Sequence, residues 1–424
     1  MSDVGATPAQ ADVIVVGAGP AGSATAAHLA RCGLDVLLLE KATFPRDKIC
    51  GDGLTPRAVK QLISLGIDVN GEDWHRNKGL RVYGGRVEPF DMPWPELADF
   101  PNFGLVRRRQ DFDELLARHA VSLGAELVEG CTVREPIIDD RTHRIVGVRS
   151  KDGREFRAPI VVAADGVSSR LSVAMGITKR EDRPMGVAAR AYFECDRGNG
   201  DWMESWLELW DGEPQKSDLL PGYGWAFPAG QGISNVGLGM LSTSPAFART
   251  DYKELMTRWL AATPPEWGFT EENRRGEIRS AALPMAFNRQ PAYQRGLLLV
   301  GDAGGMVNPF NGEGIDYALE AAAMAAEAIS EARARGFGTP NAELALHGYV
   351  SNLKASMGGY FRLGTIFAAL IGRPEIMKIC VHYGLPRRGL MKIVHKLLAN
   401  LTDKKDGDAV DHLLNTLTRI APSA

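Results

Sequence analysis

The first regular signal along the chain is an apolar, β-branched run, Val13–Val16, opened by Asp12. Asp12–Val16 predicts a strand buried on both faces. Gly17–Gly22 (GAGPAG) follows at once, then the alanine-rich stretch Ser23–Arg31, which predicts a helix ending near Gly33. Val36–Leu39 (VLLL) is a second buried run and ends on Glu40. Strand, glycine turn, helix, strand and acid predict a βαβ unit with a parallel sheet. The pattern then loosens. Residues 44–56 (FPRDKICGDGLTP) read as a long loop, 57–66 as a short helix and 80–103 as irregular strands. Phe112–Leu123 places Phe112, Leu115, Leu116 and Leu123 on one broad helical face. Val146–Val148 and Ile160–Ala164 predict strands, and residues 185–245 are strand-like throughout, with Trp202, Trp206, Trp210 and Trp225 among them. Leu297–Val300 repeats the buried-strand signal and meets Gly301–Gly314. A long helix follows, with Ile315, Leu319, Ala322, Ala326 and Ile329 on one face. Acids at Glu313 and Asp316 and bases at Arg333 and Arg335 suit its dipole. After residue 345 the chain reads as helical throughout.

Composition narrows the function classes. The 424 residues, 45% hydrophobic and 24% charged, allow two to three domains or one large interrupted one, and exclude global disorder. A net charge of −3 gives no reason to expect nucleic acid as a partner. Cys32, Cys50, Cys131, Cys195 and Cys380 are odd in number and form no CxxC pair, which excludes a disulfide scaffold. The eight histidines are scattered without ligand spacing, so no metal site is expected. Residues 1–11 lack the segments of a signal peptide and read as a short disordered tail. Leu363–Gly372 is uncharged, but its ten residues are too few to span a bilayer.

The glycine turn carries the first chemistry. Gly17-x-Gly19-x-x-Gly22 follows a strand, opens a helix and is trailed by Glu40, 21 residues after Gly19. Gly17 allows a tight turn, Gly19 lets a pyrophosphate approach backbone N–H groups, and Gly22 lets helix and strand pack closely. Glu40 can accept hydrogen bonds from both ribose hydroxyls of an adenosine, and an acid there disfavours a 2′-phosphate.

Two further segments extend this start. Val161–Arg170 reads VVAADGVSSR and Leu297–Leu319 reads LLLVGDAGGMVNPFNGEGIDYAL. The three motifs in this order resemble the hydroxybenzoate-hydroxylase-like FAD superfamily, over roughly residues 1–335. The resemblance implies an α/β fold: a Rossmann-type FAD-binding domain, an interleaved antiparallel β-sheet substrate domain and a C-terminal helical extension. It implies FAD as cofactor. The FAD-binding domain is expected over 1–75, 104–182 and 280–345, the substrate domain over 76–103 and 183–279, and the extension over 346–424. The cofactor residues implied are Gly17, Gly19, Gly22, Glu40, Lys41, Gly51, Arg109, Asp165, Asp302, Pro309, Gly312 and Gly314. Among them, Asp302 matches the aspartate on the ribityl chain, Pro309 shapes the loop beside the flavin, and Arg109 matches the arginine near the phosphate. Ser172 stands where many hydroxylases carry arginine, in a segment linked there to NAD(P)H use.

Lys48–Pro56 (KICGDGLTP) and Leu220–Pro228 (LPGYGWAFP) narrow the resemblance to the geranylgeranyl-reductase family, closest to bacterial reductases of the menaquinone side chain. That family implies saturation of a C=C bond in a polyprenyl chain by hydride from reduced flavin N5. The residues themselves fit. A prenyl chain has no polar group, so its site must be an apolar tunnel. Tyr223, Trp225 and Phe227 alternate along one strand and share a face, as a tunnel wall or as ordinary core. The catalytic candidates are Cys50, Tyr223 and Trp225, and the substrate-binding candidates Tyr223, Trp225 and Phe227. Cys50 is either a proton donor or a small apolar filler. A flavin monooxygenase or halogenase acting on an aromatic or polyketide substrate is the rival reading, and a flavin-binding lipid or quinone carrier a third. The electron donor stays open between NAD(P)H and a ferredoxin-type protein.

The tail completes the picture. Leu363, Ile366, Phe367, Leu370 and Ile371 share a helical face, as do Leu390, Ile393, Val394, Leu397, Leu398 and Leu401. Residues 378–396 hold Lys378, Arg387, Arg388, Lys392 and Lys396 and no acid. A basic amphipathic helix suits either a membrane surface or a cover over the substrate domain. The expected location is cytoplasmic, peripheral to the inner face of the cell membrane.

Overall fold

The computed structural model of the chain describes residues 9–85 and 87–421. The apolar runs become the centre of a six-stranded sheet ordered Tyr293–Gln294, Leu297–Leu299, Ile160–Ala163, Val13–Val16, Val36–Leu39 and Glu126–Val128. All neighbours are parallel except the first pair. Every residue of the four central strands is buried, as continuous apolar runs require when both faces are covered. Val13 and Val15 face one core, Ile14 and Val16 the other.

Helices Pro20–Arg31, Arg109–Ser122 and Ile315–Ala334 cover the first face. Ala24 and Ala27 on the first helix and Ala318, Ala322 and Ala325 on the third are small enough for the two axes to approach closely. A four-stranded sheet, Ala9–Gln10, Glu155–Arg157, Ile145–Ser150 and Val133–Ile138, covers the second face. The expected disordered tail is thereby shortened. Residues 1–8 lie outside the described residues, but Ala9 and Gln10 pair with Phe156 and Arg157, and the Ala11 N–H donates to the Arg157 carbonyl.

A seven-stranded sheet stands beside this layer, ordered Arg274–Pro284, Met185–Glu194, Ile233–Leu241, Gly222–Pro228, Met203–Trp206, Gly79–Tyr83 and Phe90–Pro93. It is antiparallel apart from the pairing of Met203–Trp206 with Gly79–Tyr83. The strand Arg274–Pro284 runs straight through the boundary expected at 279/280. A small sheet, Gly53–Leu54, Gly104–Val106 and His75–Asn77, anchors the end of the 44–56 loop.

The tail is helical over Pro340–Leu353, Gly359–Ile371, Pro374–Ile379, Arg388–Leu398 and Ala409–Ile420, with wide π-type turns at Lys354–Gly358 and Cys380–Gly384. It is not helical throughout. Asn400 takes the left-handed conformation (φ 51°) and ends one helix, and residues 401–408 run without helix until Asp408 and Asp411 cap the next. Within this break the Asp403 carboxylate accepts from the Ala98 and Asp99 N–H groups. Tyr349, Leu353, Met357, Tyr360, Phe361 and Ala368 all join the main core. The extension is therefore built into the molecule. Among the described residues, no helix is long and apolar enough to cross a membrane.

Candidate cofactor and prenyl-chain site

The glycine turn is held by sterics that no other residue would satisfy. Gly17 has φ 100°, and a Cβ there would stand 2.4 Å from the Ala164 carbonyl oxygen. A Cβ on Gly22 would lie 1.8 Å from the Gly17 oxygen, so helix and turn touch only because it is absent. At Gly19 the situation differs. A Cβ there would meet only the guanidinium groups of Arg46, at 3.8 Å, and Arg109, at 4.0 Å. The bare backbone thus faces two cations across an open space, at the N-terminus of a helix. This arrangement suits a pyrophosphate.

Glu40 is 3% exposed. Its carboxylate accepts from the Ala18 N–H (2.8 Å) and the Ala42 N–H (3.1 Å), which fixes it at the end of its strand. Arg46 reaches it at 3.4 Å. Arg109 is tightly held. Asp113, one helical turn on, holds it by two bonds of 2.6 and 2.8 Å, and also holds Arg46 at 2.8 Å. Arg46 and Asp113 escaped the sequence reading, although an acid four residues after Arg109 was a visible signal. Lys41 is exposed.

The residues expected at the flavin end come from three segments. Asp302 begins the turn after Leu297–Leu299, and a Cβ on Gly314 would lie 3.7 Å from its Oδ1. Burial raises the Asp302 carboxyl, against the nearby charges of Lys48 and Arg109. Asp165 carries a buried Oδ1 with no hydrogen-bond partner among the described residues, and burial raises this acid too. This unsatisfied acceptor, with the open glycine cradle, suits the hydroxyl-rich stem of FAD. Gly312 takes φ 82°, which only glycine adopts readily. Pro309 is buried beneath the tail, where a Cβ on Gly364 would come within 2.4 Å of its Cγ. At the start of the following helix, burial raises Glu313, although Thr55 and Asn311 hydrogen-bond it. Burial and the Glu313 charge raise Asp316, opposed by Arg57.

Against this loop stands the aromatic strand. Tyr223, Trp225 and Phe227 follow one another on one face at centroid spacings of 6.0 Å. The Tyr223 hydroxyl donates to the Asn311 carbonyl at 2.8 Å, which ties the strand to the Pro309–Gly314 loop. The Cys50–Gly53 loop lies on the same row. A Cβ on Gly51 would sit 3.4 Å from Phe227 and 3.6 Å from Trp225, and one on Gly53 3.1 Å from Phe227. Trp225 fits because the next strand is bare: a Cβ on Gly237 would be 2.5 Å from its Cζ2 and one on Gly239 3.7 Å from its Cζ3. Its Nε1 donates to Asn235 Oδ1 at 3.0 Å, and Asn235 Nδ2 donates to the Cys50 carbonyl at 2.8 Å. Burial pushes the Cys50 thiol up, while Arg109 pulls it down. The structure therefore brings together Cys50, Gly51, the three aromatics and the Pro309–Gly314 loop. Gly237, Gly239 and Asn235 were not foreseen, because glycines in a strand read only as weak points.

Comparison with known proteins identifies the family. The FAD binding domain family matches residues 10–337. The menaquinone reductase of Mycobacterium tuberculosis (strain ATCC 25618 / H37Rv) is 37% identical over 402 residues, covering 94% of this chain and 93% of its own. That of Mycolicibacterium smegmatis (strain ATCC 700084 / mc(2)155) is 35% identical over 96% of both chains. Digeranylgeranylglycerophospholipid reductase 1 of Methanopyrus kandleri is 32% identical, over 76% of this chain and 80% of its own. Among solved structures, a geranylgeranyl bacteriochlorophyll reductase-like protein from Thermoplasma acidophilum superposes with a TM-score of 0.73 at 21% identity, over 97% of this chain and 100% of its own. A flavin-dependent brominase reaches 0.71 at 23% identity, over 97% and 98%, so the fold alone is shared with a halogenase. The chain belongs to the FAD-binding domain family and, within it, to the geranylgeranyl-reductase-type flavoproteins that include the menaquinone reductases; FAD is its cofactor.

Proposed function

We propose that the protein is an FAD-dependent oxidoreductase that saturates one C=C bond in the prenyl side chain of menaquinone. The observation that carries this is the aromatic row Tyr223–Trp225–Phe227, packed against Cys50–Gly53 and tied to the flavin loop through Asn311. An apolar wall beside a redox cofactor, with a thiol at its edge, suits a substrate with no polar handle. The full-length similarity to menaquinone reductases supports the quinone head.

FAD supplies the hydride when bound and reduced. The chain supplies position and a proton. Gly19, Arg46, Arg109 and Glu40 would hold the nucleotide end, Asp302 and Asp165 the stem, and Gly312–Gly314 the ring edge. Tyr223, Trp225 and Phe227 would hold the alkene by shape, close enough for transfer over about 3–3.5 Å. Cys50 would give its S–H proton to the alkene carbon that does not receive the hydride. A thiol kept protonated by burial suits that task.

The exposed face of the tail supports a membrane-surface location. Ile366, Leu370, Ile379, Tyr383, Leu390, Leu413, Leu417 and Ile420 are exposed along the tail, as are the bases Arg373, Arg387 and Lys392. Apolar side chains among bases suit anionic headgroups. Two of the five bases counted in the sequence are spoken for: Lys378 pairs with Asp218, and Lys396 with Asp408 and Asp411.

The test is to reduce the FAD-loaded protein anaerobically with dithionite, add menaquinone, reoxidise the quinone head and weigh the lipid. A gain of two hydrogens in the side chain is expected. An unchanged side chain rejects the reading.

A further inference from the structure

Saturating an alkene consumes a proton as well as a hydride, and a thiol that gives its proton must regain one. The residue behind Cys50 is Asp52. It is 0% exposed and holds φ 64°, a conformation rarely taken by a non-glycine residue and sustained only where surrounding bonds fix it. Its N–H donates to Cys50 Sγ at 3.4 Å. Its carboxylate accepts from Tyr192 Oη at 2.7 Å, Asn235 Nδ2 at 2.7 Å and the Arg109 N–H at 3.3 Å. Tyr192 is half-buried and also lines a surface cavity of ≈ 470 Å³ with Asp47, Arg108, Arg190, Arg275 and Arg279. Tyr192 therefore both lines that cavity and bonds the fully buried carboxyl of the residue whose N–H meets the thiol.

We infer that Asp52 is the proton reservoir of the alkene reduction, restoring the Cys50 thiol and being refilled from the arginine-lined cavity through the Tyr192 hydroxyl. This rests on the reductase reading above. The balance closes. The alkene gains a hydride from reduced FAD and a proton from Cys50 as S–H breaks and C–H forms. The Asp52 O–H breaks as S–H re-forms. Tyr192 passes its proton to Asp52 and takes one from water, so the net proton comes from solvent. Asp52 is a positioning residue, acting through Cys50.

Charge around Asp52 suits a carboxyl that changes state in use. Burial pushes it up to about 6, opposed by the hydrogen bonds of Tyr192 and Asn235 and the charges of Arg190 and Arg109. Arg190 is itself held by Asp47 at 2.5 Å and stacked on Tyr192 at 4.4 Å. The donating form is the protonated one, so hydrogenation should slow as pH rises through about 6.

The test compares wild type, Asp52→Asn and Tyr192→Phe as FAD-loaded proteins. Infrared spectra should show a protonated-carboxyl band that titrates near pH 6 in wild type, is missing in Asp52→Asn and titrates at higher pH in Tyr192→Phe, which loses a bond to the anion. In steady state with menaquinone and excess dithionite, Asp52→Asn should slow side-chain hydrogenation by about tenfold or more and lose the pH dependence. Tyr192→Phe should keep its first turnover and lose steady-state rate with KM unchanged, a split that a structural defect would not give. A wild type that adds no hydrogen to the side chain overturns the reductase reading and the relay with it. A hydrogenating wild type matched by Asp52→Asn in rate and pH profile, or an infrared band that survives in that variant, overturns the relay alone.

Discussion

The indole of Trp225 fills the space that a side chain at position 237 would need, since a Cβ on Gly237 would stand 2.5 Å from Trp225 Cζ2. The missing side chain is what lets the middle member of the aromatic row lie against its neighbouring strand. A Cβ at 237 would also meet the Ala189 carbonyl oxygen at 2.4 Å, so neither the ring nor the backbone can yield alone. Gly237→Ala should therefore cost about 1–3 kcal/mol of stability and disturb the prenyl wall. Thermal unfolding of the FAD-loaded protein and KM for menaquinone would both report it; an unchanged KM would show that the row is core and not wall.

The nucleotide end gives a simpler expectation. Glu40→Gln keeps the shape but weakens the bonds from the Ala18 and Ala42 N–H groups, the contact with Arg46 and any bond to a ribose. Charged hydrogen bonds of this kind are worth about 1.5–3 kcal/mol, so FAD affinity should fall by about tenfold to a hundredfold. Flavin fluorescence titration of the apoprotein measures this directly.

Cys50 separates chemistry from packing. Cys50→Ala should retain FAD, because the thiol is not among the groups around Gly19, and should slow hydrogenation by about a hundredfold. Stopped-flow oxidation of the reduced protein by menaquinone, combined with lipid mass, reads the two separately. A variant with wild-type hydrogenation would make the thiol a filler.

His395 predicts a pH-dependent tail. It is 5% exposed, lies 5.0 Å from the Trp94 ring and is pulled down to about 4 by burial. The unfolded chain takes up a proton below about 6.5 while the folded one resists until about 4, so stability present above pH 6.5 is lost as pH falls. At pH 5 the loss should be about 2 kcal/mol. His395→Phe should flatten that dependence in urea unfolding between pH 7 and pH 5, whatever its effect at neutral pH.

The outer face of the tail predicts binding to vesicles. Protein should co-sediment with anionic vesicles more than with neutral ones, and salt should weaken it. Replacing Ile379 and Ile420, 57% and 72% exposed, with glutamate should abolish binding without loss of stability. Equal binding to neutral vesicles would assign the face to another role.

Periodicity made the FAD-binding sheet legible because its strands are buried on both faces, and a continuous run such as Val36–Leu39 has few other homes. The glycine turn was legible for the same reason: few other structures need Gly17, Gly19 and Gly22 at that spacing. The partners that complete the site were hidden. Asp113 reaches Arg46 from 67 residues away and Asn235 reaches Asp52 from 183, and no local pattern records such distances. The break at 399–408 left local signals in Asn400 and the Asp408–Asp411 cap, but the bonds from the Ala98 and Asp99 N–H groups to the Asp403 carboxylate within it span more than 300 residues and were hidden.

The contact between Gly364 and Pro309 carries a consequence for protein engineering. The tail is joined to the flavin loop at a point with no space for even one methyl group. Tails therefore cannot be traded between relatives as cassettes. A chimera that imports a foreign helix here must import residues 305–314 with it, so the part of the chain that meets the surroundings and the part that meets the cofactor are inherited as one piece.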